Sequence, residues 1–198
     1  MPVASQWDSI RIKKGPGGCG NVSEEKKNGI ISDAVSLWEK MGLSEERIAF
    51  GIATMGVESG FNPAAKGGSQ TERGLGQITD PTWQDAVKYH NKRYDEQVDL
   101  ITGRTDEASQ VRVMGAWIEK IWEAAGGLVK NSSLQGYGLE EVAYGLWHQG
   151  AYSDADRVGG FLLSDGYNDR NIAPYFRDTY DEALRTLDHD FMTPGFSP

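Results

Sequence analysis

From Ile30 onward the chain repeats apolar residues at spacings of three and four. Ile30, Ile31, Ala34, Val35, Leu37, Trp38 and Met41 fall on one side of a helix, and Gly42 closes the run. Ser44 then offers an N-cap, with Glu45 and Glu46 in the first turn, where the helix dipole favours acids. The second helix carries Ile48, Ile52 and Met55 on one face and stops near Gly60, before Asn62-Pro63. A third begins with Pro81 in its first turn and sends Trp83, Ala86 and Val87 inward. The broadest stripe, Val111, Met114, Trp117, Ile118, Ile121 and Trp122, predicts a fourth helix from about Asp106 to Ala125, ended by Gly126-Gly127. Shorter helices are expected at about Leu139–His148 and Ile172–Leu187, the latter with Pro174 in its first turn.

No alternation of apolar and polar residues is long enough for a strand. Gly67-Gly68 and the step from Leu75 to Ile78 leave room for a small β-hairpin within 66–79. The fold class expected is mainly α, a single domain over 29–190. Residues 1–28, with Gly15-Pro16-Gly17-Gly18-Cys19-Gly20, read as a flexible arm, and 191–198 as a tail.

Composition narrows the function. Of 198 residues 38% are hydrophobic, enough for a core, and no run approaches the apolar length of a membrane span. A net charge of −9, with Lys and Arg interleaved among acids, argues against a nucleic-acid partner. The single Cys19 excludes an internal disulfide. His90, His148 and His189 are too dispersed for a zinc site, and no nucleophile elbow is present, so neither a metal nor another cofactor is expected.

One acid stands out. Extending the stripe Ile48, Ile52, Met55 by three residues reaches Glu58, a carboxylate in line with an apolar face in the last turn of its helix. Partial desolvation and the negative end of the helix dipole both disfavour its ionised form, which raises its pKa toward what a general acid needs. The alternative is an acid at a frayed helix end that points to water, and spacing by itself does not choose.

The residues that follow add to this. Glu58-Ser59-Gly60-Phe61-Asn62-Pro63-Ala64-Ala65 leads through a Gly/Ser-rich loop to Gly74-Leu75-Gly76-Gln77-Ile78-Thr79-Asp80-Pro81-Thr82-Trp83, and Leu146-Trp147-His148-Gln149-Gly150 comes later. In order and spacing, over about residues 45–187, this resembles the soluble lytic transglycosylase family, related to goose-type lysozymes. The resemblance implies a lysozyme-like fold and cleavage of the β-1,4 bond between N-acetylmuramic acid and N-acetylglucosamine in peptidoglycan. Glu58 matches the catalytic acid. Ser59, next in the same motif, is expected to bind substrate; Gln77, with the adjoining Leu75 and Ile78, matches the segment lining the sugar cleft beside the acid, and Trp147, His148 and Gly150 match the opposite wall. Trp147 stands where the family has a tyrosine whose hydroxyl can bond the catalytic carboxyl. Either His148 takes over that polar role, or Tyr144 or Tyr152 does. Gly76 replaces a methionine, so one wall of the cleft is expected to be more open. Trp83, Trp117 and Trp122 sit on helical stripes and read as core.

A transglycosylase needs one carboxyl group, whereas an inverting hydrolase needs a second, about 6.5–9.5 Å away, to hold a water. Glu72 lies 14 residues after Glu58, where goose-type enzymes place an aspartate that can serve that role, while Asp80 reads as a helix N-cap and Asp85 as a further downstream acid. Glu72 and the absent tyrosine tilt the expectation toward hydrolysis. Chitinase-type cleavage, or a non-catalytic saccharide-binding module of the same fold, are the alternatives. The first 30 residues hold no apolar signal segment. The expectation is therefore delivery to the cell wall by a phage or a specialised secretion system, with glycan strands as the partner and, for a secreted toxin, an immunity protein that plugs the cleft.

Overall fold

A computed structural model describes residues 22–68, 71–168 and 172–190. The rest of the 1–28 arm, Cys19 and the 191–198 tail lie outside the described residues. The chain is mainly helical: α1 (Glu24–Lys40), α2 (Glu45–Ser59), α3 (Asp80–Arg93), α4 (Glu107–Leu128), α5 (Leu139–Gln149), α6 (Ala155–Leu162), α7 (Asp165–Asn168) and α8 (Ile172–Asp190). Among the described residues no helix is long and apolar enough to cross a membrane.

α2 runs through the middle. Every residue from Ile48 to Val57 is buried, because α8 lies along one flank while α1 and α4 cover the other. Trp38 of α1 is fully buried and donates its indole N–H to the Val111 carbonyl of α4 at 2.9 Å, which ties the outer helices together across α2. α5 and α6 close the remaining side, and Tyr144, Tyr167 and Phe176 form an aromatic joint between α5, α7 and α8.

Several boundaries differ from the periodicity. α1 begins at Glu24, inside the stretch read as an arm, because Ser23 Oγ accepts from the Lys26 N–H at 3.1 Å and Glu24 and Glu25 sit in the first turn. Its polar start hid this: Lys27 is buried and pairs with Glu24. α4 continues through Gly126-Gly127 to Leu128, since helical glycine costs only about 1 kcal/mol and Leu128 packs on the core. Asp80 is the first residue of α3 and not its cap; Thr79 holds the N-cap position and its hydroxyl bonds that of Thr82 at 3.0 Å. The expected hairpin is reduced to two isolated antiparallel bridges, Lys66 with Arg73 and Arg73 with Ile78. The chain turns too tightly there for a ladder, and Gln77 takes a left-handed φ of 47°.

Candidate active site

α2 ends where Gly60 adopts φ 58° and Phe61 follows at φ 64°. Gly60 takes that conformation freely, but Phe61 is strained there, and complete burial of its ring offsets the strain. The two left-handed residues turn the chain sharply away just after Glu58. Glu58, a partly buried residue, is left lining a cleft of about 410 Å³.

One wall is formed from residues 61–68 and 71–79, held by two residues far along the sequence. Gln110 of α4, 4% exposed, accepts from the Leu75 N–H at 2.9 Å and donates to the Pro63 and Arg104 carbonyls at 3.0 and 3.1 Å. Arg104 donates to the carbonyls of Thr71 at 2.8 Å and Ile78 at 2.6 Å, pairs with Asp80 at 3.0 Å and lies over the Trp83 ring. Glu72 and Gln77 both fold over Gly67, where any Cβ would collide with them. Arg104→Met is therefore expected to lower stability by about 2–3 kcal/mol, since the two carbonyls and Asp80 lose their partner. Limited proteolysis should then cut first within 66–79; cutting elsewhere first would show that Arg104 does not hold this wall.

The opposite wall is α5. Tyr144, 1% exposed, donates its hydroxyl to Glu58 Oε1 at 2.9 Å. Of the three groups considered for that role, it is the one that reaches the carboxyl. One turn further, Trp147 donates its indole N–H to the Gly76 carbonyl at 3.0 Å and packs edge-on against Phe50. Its ring fills the space over Gly76: a Cβ at 76 would lie 2.6 Å from Trp147 Cζ2 and 3.1 Å from Met114 Cε. The glycine thus does not open the cleft wall as expected; the larger side chain at 147 occupies the room it leaves.

Burial pushes the Glu58 pKa up to about 7, the nearby Glu72 charge adds to this, and the Tyr144 hydrogen bond acts in the opposite direction. Tyr144 is itself raised well above the ordinary tyrosine value, by burial first and then by the facing carboxylate. His148 stacks on Phe161 at 4.2 Å; desolvation lowers its pKa, while Glu72 pulls it back up. Tyr144→Phe removes the bond that favours the charged carboxylate, so the Glu58 pKa should rise above about 7. The high-pH limb of any activity should move upward with it, and the plateau should fall about tenfold as the carboxyl loses its orientation. An unmoved limb would mean that Tyr144 does not govern Glu58.

The structure thus brings Glu58, Glu72, Gln77, Ile78, Trp147 and His148 to one cleft, with Tyr144 behind Glu58. It does not bring Ser59 or Tyr152 to the wall. Ser59 is fully buried, its hydroxyl donating to the Met55 carbonyl at 3.1 Å, and Tyr152 is 76% exposed outside the lining. Asp85 is exposed on α3 near Lys88. Trp117, read as core, also lines the cleft, as do Thr79, Thr82 and Gln149. The stripe on α4 held no sign of this, because core-facing and cleft-facing positions share one helical period. Among the described residues no group of three His, Cys, Asp or Glu is placed to hold a metal ion. Compared with known proteins, the chain matches no family model, no curated protein and no solved structure at a significant level.

Proposed function

We propose that the protein is a peptidoglycan-cleaving glycosidase with a lysozyme-like arrangement around Glu58. One observation carries the reading: Glu58 lies in a cleft with its carboxyl held by the Tyr144 hydroxyl, and burial there pushes its pKa up to about 7, which suits a general acid near neutral pH. The cleft also suits a sugar chain. Trp147 and Ile78 offer apolar surface to pyranose C–H faces, while Gln77, His148, Gln149 and Thr82 offer groups for hydroxyls and acetamido substituents.

In this reading Glu58 gives its proton to the glycosidic oxygen between N-acetylmuramic acid and N-acetylglucosamine. Glu72, in the same cleft, then holds the water that attacks the anomeric carbon, takes its proton and yields a reducing end. Hydrolysis rests on Glu72 alone, since Tyr144 supplies the hydroxyl whose absence had also favoured it. Without a second base, Glu58 would return as base while the muramyl 6-hydroxyl closes a 1,6-anhydro ring. The substrate places the site of action at the bacterial cell wall, as a phage lysis enzyme or an exported effector.

Mass spectrometry of purified peptidoglycan digested with the parent, Glu58→Gln and Glu72→Gln proteins tests this. The expected result is reducing-end muropeptides from the parent and none from Glu58→Gln. Anhydro-muropeptides would replace hydrolysis with transglycosylation and leave Glu72 a loop charge. Equal digestion by the parent and Glu58→Gln would overturn the assignment.

A further inference from the structure

Trp117 lines the cleft, and Lys120, three residues further along α4, lies against it. The Lys120 ammonium stands 4.6 Å from the Trp117 ring centroid, 5.6 Å from that of Tyr89 and 4.4 Å from that of Tyr152. Tyr89 and Trp117 meet edge to face at 6.5 Å and form the floor beneath it. Tyr152 completes this cage, two residues after Gly150, which belongs to the cleft lining and turns the chain with φ 105°. Its hydroxyl accepts a hydrogen bond from the same ammonium.

The result is an unusual surface residue. Tyr152 is 76% exposed, yet its hydroxyl is fixed by a cation that is itself fixed over two rings. Ordering an exposed side chain on binding costs about 0.5–1.5 kcal/mol, and here that cost is met before any ligand arrives. The ring keeps its exposure in water at the rim of the cleft. Flat aromatic surface of this kind receives the C–H face of a pyranose.

Charge points the same way. The cleft carries the acid Glu72, in a chain of net charge −9, so a glycan bearing carboxylates is repelled unless a cation meets it. Lys120 places one at the rim beside Trp117.

We propose that Tyr152 and Lys120 form an outer subsite, beyond the sugars flanking the bond that is cut. It takes a further N-acetylated sugar of the chain, with Lys120 meeting the carboxylate of its substituent. This rests on the glycosidase reading above and extends it to chain length and to the anionic glycan class. Trp117 is then shared, one edge on the cleft and its face under the ammonium.

The test compares chitooligosaccharides of increasing length with peptidoglycan oligomers of matched length, using the parent, Tyr152→Ala, Tyr152→Trp and Lys120→Met. Circular dichroism and urea unfolding verify that each variant folds. Tyr152→Ala should lower the ratio of kcat/KM on long chains to kcat/KM on the shortest cleaved chain by about tenfold, the scale of one aromatic contact. Tyr152→Trp should restore the ratio. Lys120→Met should lose several-fold more on carboxylated than on neutral chains. Losses equal at every length, or no loss at any, would overturn the subsite.

Binding separates this outcome from failure of the glycosidase reading. Titrating the Glu58→Gln protein with the same oligomers, followed by tryptophan fluorescence, reads the subsite without turnover. Length-dependent binding that Tyr152→Ala abolishes, in a protein whose parent cuts nothing, would sink the catalytic reading and leave the subsite standing. No binding of any oligomer by Glu58→Gln, with no cleavage by the parent, would sink both.

Discussion

Glu58→Gln is expected to abolish cleavage, by about 10³-fold or more, and to make the protein more stable above neutral pH. The two effects share one cause. The parent needs Glu58 protonated to act as an acid, so the high-pH limb of its rate should fall above about pH 7 as the carboxyl ionises. For stability the sign follows from the raised pKa. The folded state keeps its proton up to about 7, whereas the unfolded chain releases it near the ordinary 4.5. The contribution is present in full below 4.5 and is lost as pH rises through 7, because the unfolded state gains by ionising and the folded state does not. The gap corresponds to about 3 kcal/mol at pH 8.

Glutamine carries no charge to desolvate and still offers an oxygen to the Tyr144 hydroxyl. Urea unfolding should therefore find parent and variant nearly equal at pH 4, and the variant about 3 kcal/mol more stable at pH 8. A difference that does not change with pH would mean that Glu58 is not the group held protonated. A function-for-stability exchange of this size is what a preorganised acid implies.

Gly76→Met is expected to cost about 2–3 kcal/mol and to lower kcat/KM about 100-fold. The position has no room: the added Cβ alone would stand 2.6 Å from Trp147 Cζ2. Trp147 must leave its place, and with it goes the indole bond to the Gly76 carbonyl that joins the two cleft walls. The same geometry predicts the remedy. Trp147→Ala alone opens a void and costs about 3–4 kcal/mol. The double variant should cost less than the sum of the two by about 1–3 kcal/mol, because the new side chain enters the space the indole vacates. A double-mutant cycle in urea measures this, and strict additivity would show that the two positions do not share one volume.

Residue by residue, the line between what was legible in the chain and what was not follows the range of the interaction. The helices α2, α3 and α5 could be read because their stripes, caps and stops are local. Ser44, Pro81 and Gly60 act within a turn of where they stand. α6 and α7 escaped because a stripe of Ala155, Val158 and Leu162, broken by Gly159-Gly160, is too short to show a period. The start of α1 escaped because Lys27 is buried through an ion pair, not through its composition.

The candidate site divides in the same way. That Glu58 continues an apolar face is a property of helical spacing, which marks it as a candidate, but only the folded structure decides between a buried acid and one at a frayed end, and there burial raises its pKa. Its partner was not legible in the chain. Tyr144 lies 86 residues away, and only the packing of α5 over the end of α2 selects its hydroxyl over His148 and Tyr152. The match between Gly76 and Trp147, 71 residues apart, exists only where two walls meet and one side chain fills another's absence. Nor does any local signal tell Trp117 that its stripe ends in a cleft, or fix Tyr152 on Lys120 at the rim. Periodicity records which face of a helix leaves water. What stands opposite that face depends on close packing between distant segments, and packing is decided only when the chain has folded.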